Sequence, residues 1–256
     1  MTWLLIDGNN WYARDFFASS DSAADNFKRR LRDLRSQIEH SRVAIAWDST
    51  SFRHELSEAY KSKRAAKPDG FRAQLHELRD SLAVIEGVSC MAVEGFEADD
   101  LLASLARHAI DEGERAIIFS SDKDLHQCLA PGLVSQVTAI SRLKPGTLSF
   151  TTMTADKLAK DYLVNAWQWV DYRTMTGDSS DCISGCPGIG PKAAAEVLQK
   201  CGSLDLFFEH PFKPALNDRQ RNLLLSFRPR VELTRRMLTL VNSAPLPATW
   251  LQGVML

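Results

Sequence analysis

Four short, β-rich apolar runs in the first half of the chain each lead into acid, and this pattern limits the possible folds more than any other feature. Leu-Leu-Ile-Asp7 and Ile-Ala-Trp-Asp48 end on aspartate. Ile-Ile-Phe-Ser-Ser-Asp122-Lys-Asp124 ends on two, and the run near 88–93 leads into Glu97-Ala-Asp99-Asp100. Strands are predicted at 3–6, 43–47, 88–93, 116–119 and 133–139, with helical patterns near 24–40, 70–86 and 98–112. In the last of these, Leu101, Leu102, Leu105, Ala109 and Ile110 recur on one helical face. Alternation of this kind predicts an α/β domain over residues 1–150, a mostly parallel sheet covered by helices. After Pro145 the pattern changes, and residues 151–256 read as an all-helical lobe with short Gly/Pro breaks.

An open parallel sheet binds its ligands beyond the carboxyl ends of its strands, so these acids are expected along one edge. Asp99, Asp122 or Asp178 taken alone is sufficiently explained as a helix cap. Acids at four successive strand ends are much harder to explain that way. Asp178 and Asp181, in Thr-Gly-Asp-Ser-Ser-Asp, come from the helical part. Gathered carboxylates repel unless cations neutralise them, and an oxygen-only set suits Mg²⁺ or Mn²⁺ rather than zinc. Two such ions about 3.5–4 Å apart serve in-line phosphodiester hydrolysis.

Composition narrows the classes further. A hydrophobic fraction of 45% with 25% charged residues is that of a soluble globular protein. No apolar run approaches a membrane span, and the start has neither the basic region nor the apolar length of a signal peptide, so a cytoplasmic protein is expected. Five scattered cysteines fit reduced thiols; Cys182 and Cys186 form at most half a zinc site, without a second pair at ligand spacing. Net charge is −1, but the cations cluster at Lys28, Arg29, Arg30, Arg32 and Arg35, at 60–67, and at Arg219, Arg221, Arg228, Arg230, Arg235 and Arg236. Separate basic and acidic clusters allow one molecule to grip phosphates and bind cations. Each basic run taken alone reads better as a solvated helix face.

Gly188-Ile-Gly190-Pro-Lys192-Ala193 satisfies the dinucleotide pattern only superficially, because no strand precedes it. Pro191 also separates Gly190 from Lys192, which rules out a P-loop. The segment reads better as a hairpin between two helices over 185–192, with Pro191 opening the second helix and free N–H groups available to a phosphate.

In these residues the chain resembles the 5′ nuclease family. The stretches that carry the resemblance are Leu-Ile-Asp7-Gly-Asn-Asn, Phe52-Arg53-His-Glu-Leu with Tyr60-Lys61-Ser-Lys-Arg64, and Gly95-Phe-Glu97-Ala-Asp99-Asp100. They continue in family order through Ser121-Asp122-Lys-Asp124 and Gly177-Asp178-Ser-Ser-Asp181 to Gly185-Cys-Pro-Gly188-Ile-Gly190-Pro-Lys192. That family includes the N-terminal nuclease domain of bacterial DNA polymerase I, and with no polymerase sequence present the chain is similar to its stand-alone bacterial and phage members.

The resemblance implies a PIN-like sheet followed by a helix-hairpin-helix lobe of the H3TH type, with a helical arch segment about 52–80. Asp7, Asp48, Glu97, Asp99 and Asp100 would serve a first Mg²⁺ or Mn²⁺, and Asp122, Asp124, Asp178 and Asp181 a second. Lys61 and Arg64 would lie in a helical segment and act on the scissile phosphate. Arg14, Arg53, Tyr60, Gly188, Gly190 and Lys192 would bind DNA, Tyr60 by stacking and the hairpin with a bound K⁺. The implied partner is DNA with a 5′ end, flap or nick, bound by a monomer. Cys182 departs from the family pattern, standing where many relatives carry Asn. A PIN-type ribonuclease and a catalytically silent DNA-binding protein remain as alternatives. A haloacid-dehalogenase-like phosphatase would need a D-x-D/T motif that Asp7-Gly-Asn9 does not supply.

Overall fold

The computed structural model describes residues 1–212 and 216–251. Six strands, β1 (Thr2–Asp7), β2 (Arg42–Ala46), β3 (Val88–Met91), β4 (Arg115–Phe119), β5 (Val134–Lys144) and β6 (Thr147–Met153), form one sheet in the order β3-β2-β1-β4-β5-β6. The first five strands run parallel; β6 returns antiparallel to β5. Leu4, Leu5 and Ile6 are fully buried, as a strand covered on both faces requires, which is why β1 reads as a continuous apolar run.

The helices are α1 (Gly8–Ala18), α2 (Ala23–Gln37), α3 (Arg53–Leu56), α4 (Phe71–Ala83), α5 (Ala98–Asp111), α6 (Ala155–Tyr162), α7 (Trp169–Thr176), α8 (Pro191–Cys201), α9 (Leu204–Glu209), α10 (Asp218–Leu238) and α11 (Ala248–Leu251). The predicted strands and the three predicted helical stretches are all present. Two elements go beyond the sequence reading. Helix α1 begins on Gly8-Asn9-Asn10, poor helix formers, and depends on the Asp7 carboxylate accepting from the Asn10 N–H as its cap. Gly8 is required there, because a Cβ would sit 2.5 Å from the ring of the buried Trp47. Strand β6 follows the Pro145-Gly146 turn, so the expected boundary at 150 falls inside the sheet.

By compactness the chain divides into two units. The first comprises Met1–Ser51, Ala66–Thr154 and Val241–Leu256; the second comprises Phe52–Ala65 and Ala155–Leu240. The stretch expected as an arch is therefore shared out rather than forming one element. Arg53–Leu56 is a single helical turn, 58–63 form turns and 64 a bend, and α4 belongs with the sheet. The core of the first unit gathers Leu4, Ile6, Trp11, Phe27, Leu34 and Trp47 with their neighbours. In the second unit Tyr60, Ile183, Met237 and Leu238 form a small cluster. No helix among the described residues is long and apolar enough to cross a membrane.

Candidate metal centre

The strand order reverses at β1, whose neighbours are β2 on one side and β4 on the other. Beyond the carboxyl ends at such a reversal lies the usual ligand crevice of an open α/β sheet. Asp7 ends β1 and Asp122 follows β4, so the two acids flank this point. Ser120 links them: its hydroxyl donates to Asp7 Oδ2 at 2.7 Å and accepts from the Asp122 N–H at 3.1 Å. Asp48, just past β2, donates its N–H to the Asn9 side-chain oxygen and accepts from the Ala98 N–H through Oδ1 at 2.9 Å. Asp122 caps the short helical stretch 123–128 by accepting from the Asp124 N–H.

These contacts show that capping and ligation are compatible roles. One carboxylate oxygen accepts a backbone N–H and orients the group, and a carboxylate still has further lone pairs to offer. Burial raises the Asp7 carboxyl to about 7, with the charge of Asp48 as the next cause and Asp122 adding to it, against hydrogen bonds from Asn10 and Ser120. Three of the expected ligands thus interact electrostatically at the sheet edge. Among the described residues no three His, Cys, Asp or Glu side chains converge to within metal-holding reach, so the acids form a patch, not a closed coordination sphere. The donor set is all oxygen and its charges oppose one another, which fits a hard divalent cation.

The acids at the start of α5 divide in role. Glu97 and Asp100 form a reciprocal capping box. Asp100, fully buried, accepts the Glu97 N–H with Oδ2 and the Val241 N–H with Oδ1 at 2.9 Å. Ser104, one turn later, donates to the Val241 carbonyl and accepts from the Ala244 N–H. Asp100 thus holds the returning chain in place, a task the sequence does not reveal. Asp99, half-buried beside it, contributes with Asp100 to raising the half-buried Cys128 thiol to about 12, after desolvation as the main cause.

In the second unit Asp178 and Asp181 are neutralised by side chains of that unit. Asp178 pairs with Arg173 and accepts from the Ser180 hydroxyl and the Ser180 N–H. Burial, which alone would raise the Asp178 carboxyl, is outweighed by the Ser180 hydroxyl, Arg173 and backbone N–H groups, and the group lies below its usual value. Asp181 pairs with Arg64 at 2.5 Å, and the Lys61 ammonium is 4.0 Å away. Lys61 stands on a turn and Arg64 on a bend rather than on the expected helix. Two DNA-binding expectations are corrected here. Arg53 is 2% exposed and donates to the Met237 and Thr239 carbonyls at 2.9 Å, so it holds the unit together instead of facing a phosphate. Tyr60 is 4% exposed, packed on Ile183, Met237 and Leu238, so its ring has no open face for a base.

Arg14 is exposed, donates to the Ile140 carbonyl, and lines a pocket of about 290 Å³ with Asn10, Phe17, Ser121 and Thr138. Asn10 and Ser121 are bonded to each other there; both lie in the quoted motifs, but no role was assigned to either. The connection between α7 and α8 carries Gly188 and Gly190, and Lys192 stands in the first turn of α8; all three are exposed. Gly190 is the N-cap of α8 and Pro191 its first residue, as expected. Gly177 and Gly185 let the two sides of this loop meet: a Cβ on either would lie 2.4–2.6 Å from opposing backbone. Cys186 is buried with its thiol raised to about 11 by that burial, an inert residue rather than half of a zinc site. In the basic run of α2, Arg30 is buried, pairs with Asp15 and lies over Trp11, so that run is partly core.

Comparison with known proteins agrees with this arrangement. Residues 2–162 match the 5'-3' exonuclease N-terminal resolvase-like domain, and residues 164–254 match the 5'-3' exonuclease C-terminal SAM fold. DNA polymerase I of Deinococcus radiodurans is 33% identical over 96% of this chain, and the thermostable DNA polymerase I of Thermus thermophilus 37% over 84%. The chain spans 26% of the length of each. Among solved structures, a T5 5'-exonuclease is similar with a TM-score of 0.73 at 21% identity, covering 95% of this chain and 90% of that one. Human GEN1 is similar at 0.62 and 12%, covering 93% and 61%. At such identities the likeness is one of fold. With both family domains matched in order across its length, the chain belongs to the 5'-3' exonuclease family of nucleases.

Proposed function

We propose that this chain is a structure-specific 5′ nuclease, a 5′→3′ exonuclease and flap endonuclease that hydrolyses DNA phosphodiester bonds with two Mg²⁺ or Mn²⁺ ions. The observation that carries this reading is the group of opposed carboxylates at the strand-order reversal, with Asp7 held near 7 by burial, Asp48 and Asp122. Divalent cations would supply an activated water and stabilise charge developing on the phosphate. Asp7, Asp48, Asp99, Asp122 and Asp124 are the residues that would hold them, with Glu97 and Asp100 shaping the α5 start. Lys61 and Arg64 supply positive charge for the phosphate, and a metal role for Asp178 and Asp181 requires them to exchange their arginine partners. Arg14, Gly188, Gly190 and Lys192, all exposed, suit contacts to DNA phosphates, and K⁺ at the hairpin carbonyls belongs to the same proposal.

Support also comes from similar folds: T5 D15 flap endonuclease has been solved with DNA and metal ions, T5 5'-exonuclease with zinc, and Rad2 with a DNA substrate. A cytoplasmic monomer acting in DNA replication or repair, leaving 5′-phosphate and 3′-hydroxyl ends, completes the proposal. The test is cleavage of labelled 5′-flap, nicked, blunt and RNA substrates side by side, with Mg²⁺ and with EDTA. Cutting of flap and nicked DNA in Mg²⁺ alone is expected. Cutting of RNA alone would move the assignment to a ribonuclease, and no cutting of any substrate would leave a DNA-binding protein.

A further inference from the structure

Gln136 is a buried polar residue in the middle of a strand, which demands a reason. It lies on β5, is fully buried, and stands between Ile118 of β4 and Met153 of β6 in register. Its amide nitrogen donates to the Ser120 carbonyl at 2.8 Å and to the Asp122 carbonyl at 2.6 Å. Both amide hydrogens are thereby used, which leaves Oε1 as the acceptor toward His126 Nδ1 at 2.7 Å. His126, 1% exposed, must therefore carry its proton on Nδ1 toward Gln136. A burial of this kind is tolerable only with every hydrogen bond made.

We propose that Gln136 and His126 are positioning residues for the metal-binding loop 120–124. The two carbonyls gripped by Gln136 flank Ser121, one on the residue that bonds Asp7 and the other on Asp122 itself. Gln127 closes the far end by donating to the Asp124 carbonyl. The loop that presents Asp122 and Asp124 is thus fastened from beneath by the sheet, and His126 fixes which way the glutamine amide faces. Such supporting contacts hold ligands in the orientation a cation needs, and their loss typically costs about 10- to 100-fold in metal affinity. The role rests on the metal-site reading proposed above, and its test separates the two.

Mn²⁺ binding to the full chain is titrated by the loss of the free-ion EPR signal, alongside thermal unfolding and amide exchange of residues 120–124. Gln136→Met is expected to weaken Mn²⁺ binding about 10- to 100-fold and to speed exchange in the loop. Leu31→Ala, a core truncation in α2, is expected to lower Tm and leave Mn²⁺ affinity intact. Should Gln136→Met not fold, His126 gives an independent pair. His126→Asn places an amide N–H near the lost Nδ1 and is expected to bind Mn²⁺ as the wild type does, whereas His126→Leu is expected to bind weakly. Wild-type affinity in Gln136→Met or His126→Leu overturns the positioning role, as does equal weakening in Leu31→Ala or in His126→Asn. A wild-type chain that binds no Mn²⁺ overturns the metal site itself and this role with it.

Discussion

The carboxylates at the sheet edge and those of the helical unit have the same chemistry and opposite surroundings. Asp7 is buried among acids and its proton is held to about 7, whereas Asp178 is surrounded by Arg173, Ser180 and backbone N–H groups that favour its charge. The fold opposes ionisation in the first place and promotes it in the second. Acids whose ionisation is opposed by burial and by one another cost the metal-free fold stability once charged, a pattern found at functional sites. Acids satisfied by arginines stabilise the fold as they stand.

The largest test of that difference is Asp7→Asn. Removing one ligand charge from the metal site is expected to lower Mg²⁺-dependent cleavage by at least about 10³-fold, since the cations supply several kcal/mol of transition-state stabilisation. The same substitution should make the metal-free protein more stable at pH 8. The folded carboxyl lies above its ordinary value of 3.8, so its stabilising contribution is complete below about 3.8 and is lost as pH rises through about 7. Urea midpoints in EDTA should therefore rise for the wild type from pH 8 to pH 5, and less for Asp7→Asn. Mg²⁺ affinity should run the other way, rising with pH up to about 7, because the ion must displace the Asp7 proton. Retained cleavage in Asp7→Asn would remove it from the metal site.

Arg53→Ala comes next, with an expected loss of about 3 kcal/mol from two buried carbonyls left without donors. Chemical denaturation measures it, and the affinity of the folded protein for DNA should not change. A selective loss of DNA affinity would return Arg53 to the phosphate contacts. Asp178→Asn should destabilise by about 2 kcal/mol by weakening charge-assisted bonds to Arg173 and Ser180, opposite in sign to Asp7→Asn at pH 8. A stabilised Asp178→Asn would erase the contrast between the two groups of acids. The smallest effect is expected at Cys182, whose φ of 60° is left-handed. Asn visits that region at little cost, so Cys182→Asn should stabilise by about 1 kcal/mol in the same assay. An Asn at this position would thus have a backbone explanation that needs no metal.

Much of the sheet was legible in the residues, because buried parallel strands appear as short apolar runs and amphipathic helices as periodic ones. Helix α1 was hidden because its start has poor propensity and depends on a cap and on the close approach of Gly8 to Trp47. The sheet-edge acids were legible as well, since a strand end dictates where the next residue goes. Arg53 and Tyr60 were misread for the opposite reason. Each sits in a basic or aromatic pattern that suits nucleic acid, yet carbonyls and apolar groups from α10 and the residues after it enclose them. No local spacing reports on a partner about 180 residues away in sequence.

Taken alone, the sequence determined the strand–helix alternation, the acids after the strands and the start of α8 at Pro191, all of which follow from local periodicity and turn chemistry. Only the tertiary structure separated the acids into those that oppose one another, those paired with arginine, and Asp100, which clamps the chain at Val241. It also found Gln136 beneath the loop of Asp122. Charge and hydrogen-bonding capacity are properties of a residue, but whether a carboxylate is strained, satisfied or structural depends on which neighbours the fold brings within a few ångströms.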